Sequence, residues 1–219
     1  MRQKQWVLSI LLFSVSISFL LFSKNFFRQP PSSQNQLALP KVSVPNVDVI
    51  LLANKDYYPV LKQHFQQAQK SIVGTVYLFK TSASRTNEPS DLLRELILAR
   101  KRNVDVELVM DLSDDDHESK EANLRAGLML EKAGIKVRYD TVDVTTHSKA
   151  FVIDGRYCFV GSHNLTHTAM SMNEELSLYV DSAEMGHKIT DFIRQIPLSS
   201  DPIKEENKSR KAGLAESED

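Results

Sequence analysis

Between Asn46 and Pro197 the apolar positions alternate between two spacings, one suited to strands and one to helices. The runs "VDVILLA" (Val47 to Ala53) and "SIVGTVYLF" (Ser71 to Phe79) are almost wholly apolar and of strand length, the pattern of strands buried on both faces. Between them, Tyr57 to Gln69 spaces its apolar side chains as an amphipathic helix does. Pro89-Ser90-Asp91 is a helix-start signal, and Leu92, Leu93, Leu96 and Ile97 continue it at helical spacing. Val104 to Met110 alternates with period two and ends at Asp111. Glu121 to Ala133 is helical and stops at Gly134, and Ile135 to Tyr139 predicts another strand. Two short apolar runs follow, Ala150 to Ile153 and Tyr157 to Val160, joined by the hairpin signal Asp154-Gly155. A strand over Leu176 to Val180 and a helix over Ala183 to Ile196 close the pattern. Such an alternation predicts an α/β domain with a mixed β-sheet flanked by helices, here over residues 47–197.

The 219 residues suffice for one domain of this kind with appendages. Residues 1–23 are expected to be a membrane anchor or signal sequence, because Trp6 to Phe22 holds no charge in 17 positions and follows the basic start Arg2 and Lys4. No small-residue cleavage site follows; "SKNFFRQPP" brings bulky Phe26 and Phe27 instead, which favours an uncleaved single-pass transmembrane helix over an exported, cleaved form. The slight basic excess before the run places the domain outside the cytoplasm, periplasmic in a bacterium. Residues 24–46 are rich in Pro, Ser, Gln and Asn and read as a semi-extended linker. Residues 198–219, charged and poor in large apolar residues, read as a disordered tail.

Composition narrows the chemistry. Cys158 is the one cysteine, which excludes an intramolecular disulfide and a multi-cysteine zinc site, and its place in "YCFV" suits a buried strand position. Four of the 27 basic residues and none of the 28 acidic ones lie in the first 28 positions, leaving 23 against 28, or net −5, for the remainder. That is not the basic footprint of a protein that grips long duplex nucleic acid. There is no glycine-rich phosphate loop and no internal repeat.

The chemistry concentrates in "THSKAFVIDGRYCFVGSHNLT", Thr146 to Thr166. Its spacing is His147-x-Lys149-x4-Asp154-x6-Gly161-Ser162-x-Asn164. Strand alternation puts His147 and Lys149 on one face. Gly161 to Asn164 falls where a strand ends and a helix is expected to begin, so backbone N–H groups with Ser162 and Asn164 can converge on an anion. Lys149 adds positive charge and Asn164 a fixed donor, which together describe a phosphate site around a titratable nitrogen. A histidine can attack phosphorus directly if a carboxylate fixes its other ring nitrogen, and Glu174 and Glu175 lie downstream as candidates.

At every one of these positions the stretch resembles the HKD signature of the phospholipase D superfamily, and "NLTHTAMSMNEEL" resembles that family's asparagine-x-glutamate element. The resemblance spans about residues 47 to 196 and points to Glu175, rather than Glu174, as the partner of the histidine. It implies displacement at a phosphodiester through a phosphohistidine, without metal or cofactor. One histidine attacks, a second protonates the leaving alcohol and activates water, and lysines and asparagines hold the phosphate oxygens. Within this scheme His147, Lys149, Asp154 and Glu175 form the catalytic set, Asp154 ordering the loop and its charges rather than touching substrate; Lys149, Ser162 and Asn164 bind phosphate. The chain carries one motif where the mechanism needs two, so a homodimer is expected to complete the site.

Three functional classes follow. The first is a membrane-anchored phosphodiesterase of the phospholipase D type, with phospholipid as the preferred substrate because of the apolar N-terminal run and the negative domain. The second is a metal-independent endonuclease acting on DNA or RNA, since single-motif members of small size resemble endonucleases of the superfamily. The third is a non-catalytic module that binds anionic lipid or nucleic acid. The cluster Asp114-Asp115-Asp116-His117 reads as a solvated acidic loop rather than a metal site, and the sequon at Asn164 as a coincidence.

Overall fold

A computed structural model describes residues 47–82, 87–112 and 117–200. The expected anchor, the whole of the expected linker and nearly all of the expected tail lie outside these residues, as do Asp114 to Asp116. Among the described residues no helix is long and apolar enough to cross a membrane.

Seven strands form one sheet: β1 (Val49–Ala53), β2 (Ser71–Val76), β3 (Asp105–Met110), β4 (Lys136–Tyr139), β5 (Ala150–Ile153), β6 (Tyr157–Gly161) and β7 (Leu176–Asp181). Their order is β1-β7-β6-β5-β2-β3-β4. The β2, β3 and β4 neighbours are parallel and every other pair is antiparallel, so the sheet is mixed as expected. Parallel strands need crossovers, and the helices α2 (Glu88–Lys101) and α3 (His117–Lys132) supply them. The β5–β6 hairpin turns through Asp154 and Gly155, whose φ angles of 54° and 69° are those a primed turn requires. The remaining helices are α1 (Tyr57–Gln67), the short α4 (His167–Ser171) and α5 (Ala183–Gln195).

The two sheet faces are covered unequally. One face packs its side chains, among them Ile72, Leu108, Phe151 and Phe159, against Tyr57, Leu61 and Phe65 of α1 and Leu92 and Leu96 of α2, all nearly or fully buried. Each large side chain so buried contributes about 1.5–3 kcal/mol. The spacing of Tyr57, Leu61 and Phe65, four residues apart, is why α1 is a helix facing this core. Among the described residues the opposite face is covered by α5 and the segment just after it, through Ile193, Ile196 and Leu198 against Val73 and Val109. Beyond the reach of α5, the pattern of a doubly buried strand misleads at β1: it is an edge strand, and Val49, Ile50 and Leu51 are exposed.

The domain also continues past Pro197. Leu198 packs beside Val73 and Val109 and bridges to Asp140, and the Ser199 N–H donates to the Tyr139 carbonyl (2.9 Å). Leu198 and Ser199, the first two residues of the expected tail, are thus held against the sheet.

Candidate active site

The signature residues other than Asp154 gather where β5 begins and β6 ends, beside the C-terminal ends of the parallel strands β2 and β3, the usual place for a site in an α/β sheet. The Gly161 N–H donates to the Lys149 carbonyl (3.2 Å), which ties the two halves of the motif. Gly161 is needed for closeness: a Cβ there would overlap Ser177 on β7.

His147 and Lys149 lie just before β5 rather than within it. The His147 ring is exposed and Lys149 is 7% exposed. The two meet through Tyr77, one residue past the end of β2. Its ring centroid is 4.4 Å from that of His147 and 4.5 Å from Lys149 Nζ, a cation–π contact. Lys149 Nζ also donates to the His147 carbonyl (2.7 Å). Burial lowers the lysine to about 8, against the opposing pull of Glu175 and Asp111. It remains a cation at neutral pH, partly stripped of water and ready for an anion.

Two buried carboxylates hold the loop that carries His147. The Thr146 N–H donates to Asp111 Oδ1 (2.7 Å) and to Asp140 Oδ2 (2.9 Å), and the Leu112 N–H donates to Asp140 Oδ1 (2.6 Å). Burial raises Asp140 to about 6; its hydrogen bonds with Thr146 and Leu112 work against this and the nearby Asp111 charge adds to it. Asn123 of α3, fully buried, ties the strand ends together by accepting from the Phe79 N–H (2.7 Å) and donating to the carbonyls of Tyr77 (2.7 Å) and Asp111 (2.9 Å).

On the other side, the Ser162 hydroxyl donates to Glu175 Oε2, and Asn173 Nδ2 donates to Glu175 Oε1 (3.0 Å). The Ser162 N–H is spent on the Leu176 carbonyl (3.1 Å). The helix expected to start at Gly161 begins instead at His167, where Thr166 caps the Ala169 N–H (3.1 Å), so the anion-binding helix terminus read from the sequence is absent at Gly161 to Asn164. Asn164 is half-buried and its Oδ1 has no hydrogen-bond partner.

Two of the expected residues have other partners within the chain. Glu175 accepts from Ser162 through Oε2 and from Asn173 through Oε1 and makes no hydrogen bond to the His147 ring of its own chain. Asp154, expected to order the loop rather than touch substrate, sits at the opposite end of β5, about 16 Å along the strand from Lys149 at ~3.3 Å per residue. Its carboxylate accepts from the backbone N–H groups of Gln69 (3.1 Å), Lys70 (2.7 Å) and Ser71 (3.0 Å), tying the hairpin to the start of β2.

Sequence patterning did not single out Tyr77, Asn123, Asp140 or Asn54. Asn54, at φ 51°, clamps the Glu175 segment: its Oδ1 accepts from the Glu175 N–H (2.7 Å) and its own N–H donates to the Glu175 carbonyl (2.9 Å). His163, inside the motif, is a packing residue stacked 4.2 Å from Tyr57. Its Nε2 donates to the Asn54 carbonyl (2.9 Å), which leaves Nδ1 to accept from Ser177 (2.7 Å). Burial pushes its pKa down, so it stays neutral. Cys158 is buried and its thiol is pushed up to about 11, an inert strand residue.

The sheet order and the clustered motif define a phospholipase D-like domain. The chain belongs to the phospholipase D superfamily: residues 61–196 match the family described as cardiolipin synthase, PLD-like domain. Among curated proteins it is 28% identical over 163 residues to cardiolipin synthase A of Pectobacterium carotovorum, covering 72% of this chain and 32% of that one. It is 26% identical over 156 residues to polyphosphate kinase of Mycobacterium avium, covering 68% and 21%. The chain thus spans a third or less of these curated relatives. Nuc from Salmonella typhimurium, a phospholipase D family member, shares the fold with a TM-score of 0.59 at 20% identity, over 71% of this chain and 99% of that one. NucT from Helicobacter pylori does so at 0.56 and 19%, over 68% and 95%.

Proposed function

We propose that this chain hydrolyses phosphodiesters through a phosphohistidine at a site shared by two copies, with phospholipid as the preferred substrate. The observation that carries this reading is the exposed His147 ring beside the buried Lys149 cation, both in contact with Tyr77. A nitrogen of one His147 attacks phosphorus. The bond to the alcohol breaks as the other copy's His147 gives that oxygen its proton. The second imidazole, now neutral, takes a proton from water. The water oxygen attacks phosphorus, the P–N bond breaks, and a phosphomonoester leaves. Lys149 and Asn164 hold the phosphate oxygens whose charge grows in each step.

Two features support the shared site. Glu175 is not hydrogen-bonded to the His147 ring of its own chain, and the lone pairs that Ser162 and Asn173 leave on its carboxylate can accept from the histidine of the other copy. The sheet face not reached by α5 exposes Leu51, Leu178 and Val160, aligned across β1, β7 and β6, with Leu176 beside them. This apolar strip ends against Gly161 and Glu175, and burying it against a second copy would bring the two sites together. The apolar run Trp6 to Phe22 would hold the pair at a membrane, with the domain outside the cytoplasm.

Full-length protein incubated without divalent ions with phosphatidylcholine vesicles, or with single-stranded and duplex DNA, tests the substrate. Choline release with intact DNA is expected; nicked DNA with intact lipid selects the endonuclease reading. Trapping phosphate on His147 tests the intermediate, and binding of either substrate without turnover selects the non-catalytic module.

A further inference from the structure

Beside His147, the loop Val144 to Ser148 and the C-terminal end of α5 enclose a cleft of about 440 Å³. Val144, Phe192, Ile196 and Pro197 supply its apolar wall, and His147 is the one titratable side chain that lines it. Phe192 is 55% exposed and Val144 42%, large apolar groups left in water at the mouth of the site. Isolated exposed apolar residues are ordinary, but a concave group of them touching a candidate nucleophile is a typical ligand pocket. Whatever fills it lies within one side chain of the reacting phosphorus.

The lining also limits the occupant. Among the described residues no lysine or arginine lines the cleft, so a polynucleotide running through it would find no counter-charge there for its flanking phosphates. The chain beyond its first 28 residues carries net −5, which disfavours a polyanion further. An aliphatic chain needs neither charge nor directed hydrogen bonds, only apolar surface to displace water from.

We propose that this cleft seats an aliphatic chain carried on the phosphodiester that His147 attacks, as a phospholipid presents one. The proposal rests on His147 as the nucleophile and adds that Phe192 and Val144 set substrate class.

The test is calorimetric binding of two product-like monoesters, methyl phosphate and hexyl phosphate, to the full-length protein in one buffer and detergent. Binding does not depend on turnover. Hexyl phosphate is expected to bind about tenfold tighter or more, from the added apolar burial. Phe192→Ser, and independently Val144→Ser, should collapse that ratio towards one; both side chains are exposed, so folding is not at stake. Equal binding of the two esters by the unaltered protein overturns the proposal. So does thymidine 5′-monophosphate binding as tightly as hexyl phosphate with the same sensitivity to Phe192→Ser, which would make the cleft a nucleobase site. A Phe192→Ser change that shifts the dimer equilibrium and leaves the ester ratio intact would assign the cleft to the contact between copies, and also overturns it. The nucleophile is tested separately, by loss of p-nitrophenyl diester turnover in His147→Ala.

Discussion

The aromatic ring of Tyr77 stands 4.4 Å from the ring of His147, and its face receives Lys149 Nζ at 4.5 Å. One side chain from the end of β2 therefore spaces the proposed nucleophile and the proposed phosphate-binding cation. A cation–π contact of a partly desolvated lysine is worth about 1–2 kcal/mol. Tyr77→Leu is expected to lower kcat/KM roughly tenfold, at about 1.4 kcal/mol per decade, while Tyr77→Phe, which keeps the ring, retains most of it. Steady-state rates on a soluble diester decide this, and equal losses in both variants would sink the role given to the ring.

In the proposed mechanism Lys149 sets the alkaline limit of activity. Burial holds it at about 8, and only its charged form stabilises phosphate oxygens. Activity as kcat/KM should fall as pH rises through about 8. Lys149→Arg, whose guanidinium does not titrate in this range, should remove that limb even where it lowers the rate. A pH–rate profile of both proteins makes the comparison.

Asp140 couples stability to acidity in the less familiar direction. Its native pKa of about 6 exceeds the ordinary 3.8, so the folded state holds this proton more tightly than the unfolded chain. The stabilisation from this group is full below the lower value and is lost as pH rises through the upper one. The amount is on the order of 3 kcal/mol, at ~1.4 kcal/mol per unit. Denaturant melts at pH 4.5 and pH 7 should show a larger gain on acidification in the natural protein than in Asp140→Asn, which has no proton to exchange.

Gly161→Ala tests the close approach of β6 to β7. The new methyl would overlap Ser177, so either the strand or the Ser162–Glu175 pair must shift. Overpacking of this kind costs about 1–3 kcal/mol. A lowered melting temperature together with a lowered kcat is expected, because Gly161 N–H also holds Lys149.

Asp154→Ala separates architecture from chemistry. Leaving three backbone N–H groups without their acceptor should cost about 1–3 kcal/mol of stability. At a temperature where the variant is folded, kcat should change little; a loss comparable to that of His147→Ala would return Asp154 to the reacting groups.

Much of the fold was legible because periodicity reports burial directly. The hairpin about Asp154-Gly155, the helices over α1, α2 and α5, and the mixed sheet all follow from spacing and turn chemistry. The exposure of β1 was not legible, since an apolar run looks the same at a covered centre and at an uncovered edge. In the site, the motif positions reveal residues whose chemistry is unusual for their neighbourhood. They do not reveal Tyr77, Asn123 or Asp140, which are ordinary occupants of a strand end, a helix face and a loop, and act only because the topology brings them under His147. Which histidine Glu175 would orient is not legible for a related reason: the motif identifies Glu175 but carries no information on which chain's histidine it would serve.

The position of Asp154 bears on telling working enzymes from retired ones among chains of this kind. Its carboxylate stitches a turn to a neighbouring strand at the end of the sheet remote from His147. A descendant that no longer turned over any substrate would still need that stitch to close its hairpin. Retention of the aspartate and the following glycine is then a signature of architecture, and the histidine and lysine alone carry news of activity.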